Sequence, residues 1–226
     1  NYGTEKFASL TSLTYSHFGD LKNGANRNPF LPKDDAYILR NGYVEMAPDG
    51  SDRYVANPDV NKQVGSGYMQ YDLLQKFLFQ PRKGEQHLLN FQLSNTPDFN
   101  RYDRLTETKV SKGEVVPKSA EWYYGPQFRL MAAYSYKSVN RWGADNTSLT
   151  VAYQKVKESR HNRDFGSQWL SNRWENVDIL TLNSDWIKRY GDSHKLHLGI
   201  DGTLSFLRST ANLENVATGE TDVNTT

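Results

Sequence analysis

The chain has 226 residues, a length that ordinarily gives one domain or at most two. Its formal net charge of +1 and its lack of basic runs give no electrostatic case for nucleic acid, and the absence of cysteine excludes disulfides and thiolate metal sites. No run approaches the ~18 apolar residues of a transmembrane helix. Because residue 1 is Asn and no secretory signal follows it, we expect the start to be internal to a longer protein.

The composition combines low hydrophobicity with many aromatic residues. Hydrophobic residues make up only 37% of the chain, yet it holds 14 Tyr, 10 Phe and 5 Trp. A transmembrane β-barrel reconciles the two, because it has a polar lumen, an apolar lipid face and aromatic girdles. The composition therefore favours an all-β, antiparallel transmembrane barrel. A soluble β-protein stays open as the alternative.

Alternation of apolar and polar residues with period two, which is typical of strands with two different faces, recurs along the chain. Within 121–138, aromatic residues stand at both ends of the apolar set and aliphatic residues in its middle. Pro126 lacks the N–H that a sheet ladder needs, so a bulge or break is predicted there. No segment has sustained helical spacing. We predict seven strands, near 6–17, 66–80, 87–98, 121–138, 147–161, 174–189 and 195–208.

The alternation also assigns side chains to the two faces of each strand. Trp122 and Tyr124 are predicted to lie in the lipid girdle, with Tyr123 turned inward. A closed interior core around the apolar set would contradict the membrane interpretation. We expect lipid contact from Met69, Leu73, Phe77, Leu130, Ala132, Leu149, Val151 and Leu198.

The links between the predicted strands alternate in length. Short links near 82–85, 139–146 and 191–193 separate long links near 18–65, 99–120 and 162–173. Outer-membrane barrels alternate short periplasmic turns with long extracellular loops in this way. Bacterial single-chain barrels have an even number of strands from ~8 upward, so seven strands predict a partial barrel over 1–226. The polar segment Ser209–Thr226 is expected to begin another external loop.

Five stretches carry a family resemblance, namely YSHFGDL at 15–21, NPD at 57–59, RYDRL at 101–105, AEWYYGPQ at 120–127 and ESRHNRDFG at 158–166. With them the chain resembles the barrel of a TonB-dependent outer-membrane receptor of the type found in Bacteroidota. The resemblance implies a barrel of ~22 strands in the outer membrane of a Gram-negative bacterium, filled by a plug domain that this chain does not contain. It also implies import of iron–siderophore, haem or cobalamin, or in some members of glycans or peptides, driven through TonB.

Two functions follow from the resemblance and both stay open. The first is an importer of a scarce nutrient, with iron–siderophore or haem as the expected cargo. The second is a receptor-like barrel that serves as a structural or assembly subunit of an outer-membrane protein complex. The expected partners are outer-membrane lipid, the TonB complex through the absent plug domain, and a surface lipoprotein or another complex subunit. We expect no enzyme, no catalytic residue, no cofactor and no metal, since GxSxG, HExxH and Gly-rich phosphate motifs are missing.

Recognition is expected in the long links, because loops on a rigid scaffold vary without disturbing it. Arginine suits acidic groups, and tyrosine offers a large contact at small entropic cost. The simpler interpretations are loop packing, a lumen-facing ladder of ion pairs for the arginines, and, for His161, a loop-anchoring hydrogen bond instead of an axial haem ligand. The predicted ligand- or partner-binding residues are Tyr37, Tyr43, Tyr54, Arg101, Arg104, Tyr123, Arg160 and His161.

Overall fold

The computed structural model describes residues 1–24 and 39–222. Its one short helix, α1, spans Tyr102–Leu105. No helix in these ranges is long and apolar enough to cross a membrane. The strands are β1 (Tyr2–Gly3), β2 (Phe7–Phe18), β3 (Gly42–Met46), β4 (Asp52–Ala56), β5 (Tyr68–Arg82), β6 (Glu85–Thr96), β7 (Phe99–Asn100), β8 (Thr108–Ser111), β9 (Glu114–Pro117), β10 (Ser119–Tyr124), β11 (Gln127–Arg141), β12 (Ala144–Asp164), β13 (Trp169–Tyr190), β14 (His194–Asn215) and β15 (Thr221–Asp222).

The long strands form one antiparallel sheet in which neighbours in sequence are neighbours in space. The order along the sheet is β1-β2-β5-β6-β11-β12-β13-β14-β15, and β7 and β10 join it beside β12. The hairpins β3–β4 and β8–β9 lie outside this sheet. The seven predicted strands are therefore confirmed, as is the all-β antiparallel fold. Over the described ranges the sheet is open, because β2 and β14 do not pair with each other.

The register of the sheet sorts side chains onto two chemically different faces. One row across neighbouring strands holds Leu13, Leu73, Leu93 and Leu130, and a second holds Phe77, Leu89, Tyr134, Val151 and Leu182. We call this side the apolar face. The opposite side, the polar face, carries rows such as Thr14, Asp72, Ser94 and Arg129.

The apolar face is not enclosed in a core. None of the eight residues predicted to contact lipid is buried, and Leu198 is 54% exposed. The buried hydrophobic residues of the described chain are only Ala120, Tyr136, Ala144 and Leu170. The arrangement that would have contradicted the membrane interpretation is thus absent from the described ranges. Contact of these residues with lipid stays a prediction.

Aromatic rings lie toward both ends of the apolar face. Tyr15 and Tyr71 pack with ring centroids 5.2 Å apart near the long links, an edge that we call the loop end. Tyr136 and Trp142 pack at 5.2 Å near the short turns, at the turn end. The aliphatic rows lie between them, so the face carries an apolar band that aromatic rings flank.

One predicted long link is wrong. Residues 162–173 belong mostly to strands, because β12 and β13 run for 21 and 22 residues and only 165–168 join them. Likewise Ser209–Asn215 continues β14 instead of opening a loop. These strands extend past the apolar band, where most residues on both faces are polar. The ladder of hydrogen bonds continues there although the apolar alternation that signals a strand has stopped.

The strand predicted at 121–138 is broken at Gly125 and Pro126, as expected, and the break shifts the register. Phe128 pairs with Lys157, whereas Tyr124 pairs with Arg160, so β10–β11 carries one residue more than its partner. A slip of one residue moves every side chain to the other face. The predicted orientations are therefore wrong: Trp122 and Tyr124 share the polar side with Arg160, and Tyr123 continues the apolar side.

Candidate ligand-binding site at the loop end

Above the apolar band, the hairpin β3–β4 covers the continuation of the apolar face. Burial alternates along this part of β12: Ser159, His161 and Arg163 are buried, whereas Arg160 and Asn162 between them are not. The buried set lies on the side that carries the apolar band lower down the strand. The described part of the first long link thus packs against the apolar side of the sheet here.

Arg163 joins this hairpin to the wall. Its Nη1 and Nη2 donate to the two carboxylate oxygens of Asp52 at 3.1 and 2.8 Å, and its Nε donates to Glu121 Oε1 at 2.7 Å. Nη1 also donates to the carbonyl oxygen of Ser167 at 2.6 Å. Burial opposes the charge, but the hydrogen bonds to the two carboxylates outweigh it and raise the pKa of Arg163. Such a buried, bidentate pair fixes the position of the hairpin.

Arg40 is buried, and no carboxylate within 1–24 and 39–222 pairs with it. Its side chain is near the ring of Tyr102, with Cζ 5.5 Å from the ring centroid, and its Nη1 donates to the carbonyl oxygen of Leu105 at 2.5 Å. The Asn57 amide, in turn, donates to the carbonyl oxygen of Arg40 at 2.8 Å. The residue is only 6% exposed, and its Nε has no hydrogen-bond partner in the described part of the chain. Burial lowers the pKa of its guanidinium.

A pocket of about 400 Å³ lies between the hairpin β3–β4, the start of the second long link and β10. It opens on the apolar side of the sheet, next to the Arg163–Glu121 pair. Glu121 borders the pocket while holding Arg163, whereas Asp98 is exposed beside it. The residues that line it include Arg40, Tyr43, Asp98, Asn100, Glu121 and Tyr123.

Tyr123 is held at the pocket by a stacked histidine. Its ring lies 4.6 Å from that of His161 at an interplanar angle of 13°. Burial, and then the nearby carboxylates of Glu121, Asp98 and Glu214, raise the pKa of Tyr123 to about 12. The phenol therefore remains protonated at physiological pH and can donate a hydrogen bond.

Both ring nitrogens of His161 already have hydrogen-bond partners. Nδ1 lies 2.5 Å from Asn172 Oδ1, and Nε2 lies 3.1 Å from the carbonyl oxygen of Gly125. The residue is 6% exposed. This geometry favours the anchoring interpretation of His161 over an axial haem ligand.

The structure divides the predicted binding residues between two sides of the sheet. Tyr43 lines the pocket and Tyr54 lies on the same hairpin, 51% exposed. Arg101 lies on the polar side, 4.9 Å from the Trp122 ring and with an ion pair of 3.0 Å to Asp103. Tyr37 lies outside the described residues.

The remaining two arginines have different surroundings. Arg104 forms an ion pair with Glu107 at 2.6 Å. Arg160 faces Arg173 directly across the ladder, and Glu158 faces Glu175 two rungs away on the same face. No ion pair to Arg160 is present in the described part of the chain, so a ladder of direct pairs does not form at this point.

Two further observations bound the chemistry of the site. Within 1–24 and 39–222, no group of three or more His, Asp or Glu side chains is placed to hold a metal ion. No family model, curated protein or solved structure matches the chain.

Proposed function

We propose that the chain forms part of the wall of an outer-membrane β-barrel receptor, a TonB-dependent importer of a scarce nutrient such as an iron–siderophore or haem. The observation that carries the proposal is the apolar face, which runs across seven consecutive antiparallel strands without being buried. Soluble monomers rarely expose apolar patches larger than a few hundred Å². In a bilayer, such a face contacts lipid and the aromatic rings at its two ends lie near the interfaces.

The polar face supports a water-filled interior. It forms a groove of about 570 Å³, whose lining includes Thr14, Asp72, Gln92, Ser94, Arg129 and Glu158. The open edges of β2 and β14 also suit a wall with further strands, because β1 and β15 cover only two residues of each. A closed barrel of more strands would satisfy both edges.

The assignment to TonB-dependent receptors depends on the five similar stretches of sequence. Three of them meet at the loop end: RYDRL supplies α1, AEWYYGPQ contains most of β10 and the register slip, and ESRHNRDFG covers the top of β12 and the start of the turn after it. In the proposal, a plug domain with a TonB box precedes these residues in the full-length protein. The plug would receive energy from the inner membrane and release the cargo.

Growth of a deletion strain on defined iron sources tests the importer. We expect the strain to lose growth on one ferric siderophore or on haem, and to recover with a soluble ferrous salt or with the intact gene. A gene that lacks its TonB box serves as the matched control, because its product should reach the outer membrane but not restore growth. Normal growth of the deletion strain on every chelate would contradict import of iron.

A structural role in an outer-membrane complex is the second candidate. The observation that favours it is the rigid hairpin β3–β4, which the Arg163–Asp52 pair fixes on the outer side of the wall. A lateral surface of this kind suits a lipoprotein or another barrel. Under this alternative the full-length protein lacks a plug, co-purifies with a subunit in fixed stoichiometry, and leaves growth on all iron sources unchanged.

A further inference from the structure

The buried guanidinium of Arg40 has no compensating charge among the residues that the structure describes. It forms no ion pair with any carboxylate of the described chain, and its Nε is both buried and without a partner. An arginine that is 94% buried is ordinarily paired, because a lone charge is far less stable in a buried site than in water. Contact with the Tyr102 ring and one bond to a carbonyl oxygen offset only part of that cost.

We propose that the pocket beneath the hairpin β3–β4 binds the carboxylate of a small planar organic acid, with Arg40 as the counter-ion and the Tyr123 hydroxyl as a second donor. A carboxylate matches the planar fork of a guanidinium in a way that a spherical anion does not. The rings of Tyr43 and Tyr123 line the same pocket and can contact the body of the ligand.

The other charges at the pocket limit the ligand to a single negative charge. Glu121 shares Arg163 with Asp52, so these three side chains together keep one negative charge beside the pocket. Asp98 is exposed and has no salt-bridge partner among the described residues, so it repels a polyanion. A monocarboxylate therefore fits better than a phosphate or a tricarboxylate.

The inference depends on the proposed function in one respect only, which is that the proposed function places the pocket outside the cell.

Benzoate and benzamide are suitable probes, since they have nearly the same shape and differ in charge. We would measure their binding to the full-length protein in detergent by saturation-transfer difference NMR and titration calorimetry. Benzoate should bind at least about ten-fold more tightly than benzamide, which is what a charge-assisted hydrogen bond to a buried group supplies.

Variants assign the binding to this pocket. Arg40→Met should remove the preference for benzoate, and Tyr123→Phe should weaken benzoate binding about three-fold. Arg53→Met is the matched control, because Arg53 lies on the hairpin β3–β4, pairs with Glu45 and is not among the residues that line the pocket. Arg53→Met should bind benzoate as the unaltered protein does.

Equal binding of the two probes by the unaltered protein would overturn the proposal, and this comparison does not depend on any variant folding. An unchanged preference in folded Arg40→Met would overturn it as well. The growth test and the binding test fail independently: a protein that binds benzoate at Arg40 but supports no iron uptake would refute the importer and keep the site.

Discussion

Arg163 and Asp52 lie 111 residues apart in the sequence, yet Nη2 of the guanidinium lies 2.8 Å from Oδ1 of the carboxylate. Both side chains are almost completely buried, at 1% and 2% exposure. One belongs to the wall and the other to the hairpin β3–β4. The part of the first long link that the structure describes is therefore held against the wall by a pair that water does not screen.

Breaking the Arg163–Asp52 pair should destabilise the protein strongly. Arg163→Ala leaves the Asp52 carboxylate buried and unpaired, which we expect to cost about 3–5 kcal/mol. Limited proteolysis should then cut the turn at 47–51 far faster, and thermal unfolding should shift downward. Arg53→Ala is the control, because Arg53 is 70% exposed and its surface pair with Glu45 is worth at most about 1 kcal/mol. Similar behaviour of the two variants would show that the pair does not hold the hairpin.

The register slip depends on Gly125. Its φ of +114° is strained for any other residue, and an added Cβ would lie 2.8 Å from the Pro97 carbonyl oxygen and from Asp98 Cα. Gly125→Ala should therefore lower the yield of folded, heat-modifiable protein strongly. Gly143→Ala tests the backbone strain alone, since Gly143 also has a positive φ but no atom within 4 Å of an added Cβ. It should fold with a penalty of about 1–2 kcal/mol.

The Tyr123 phenol should ionise at a higher pH than an ordinary tyrosine. Its pKa is raised to about 12, so the folded state holds the phenolic proton more tightly than the unfolded state, where the pKa is about 10. The stability that this contributes is fully present below about pH 10 and is lost as the pH rises toward 12. The difference in tyrosinate absorbance between the unaltered protein and Tyr123→Phe should show one phenol ionising near pH 12. A difference centred near pH 10 would place Tyr123 in water.

Neighbouring residues on β6 test the orientation of the sheet. Phe91 lies on the apolar face and Gln92 on the polar face. Phe91→Arg should cost about 2–4 kcal/mol if that face meets the middle of a bilayer, and should reduce the amount of protein in the outer-membrane fraction. Gln92→Arg should leave that amount unchanged. Equal loss from both substitutions would favour a soluble fold with a packed interior.

Period two in the sequence was sufficient to find the strands. Leu73, Leu93 and Leu130 each belong to a regular alternation, and they meet in one row because their strands pair in order. The orientation of Tyr123 was not predictable in this way. The alternation of apolar and polar residues in the sequence continues through Gly125 and Pro126. The extra residue is visible only in the pairing with β12.

The candidate site was predictable only in outline. Loops and tyrosines were the right place to search, and Tyr43 and Tyr123 do line one pocket. Arg40 was missed because no motif marks it. Its burial arises from contacts with residues far along the chain, such as the carbonyl oxygen of Leu105, 65 positions away.

Because the strands differ in length, they end at different heights along the loop end of the sheet. From the row that contains Leu89 of β6 and Leu182 of β13, β6 continues for 7 residues toward the loop end, to Thr96, and β13 for 13, to Trp169. At ~3.3 Å per residue, those 6 additional residues carry β13 about 20 Å farther along the strand direction. If the apolar band lies in a bilayer, the end of the β12–β13 hairpin projects above the head groups. A solute would then enter the interior more easily over the low side at β2–β5 than over the high side. The height of this hairpin, and not only the width of the channel, would decide which large molecules can approach.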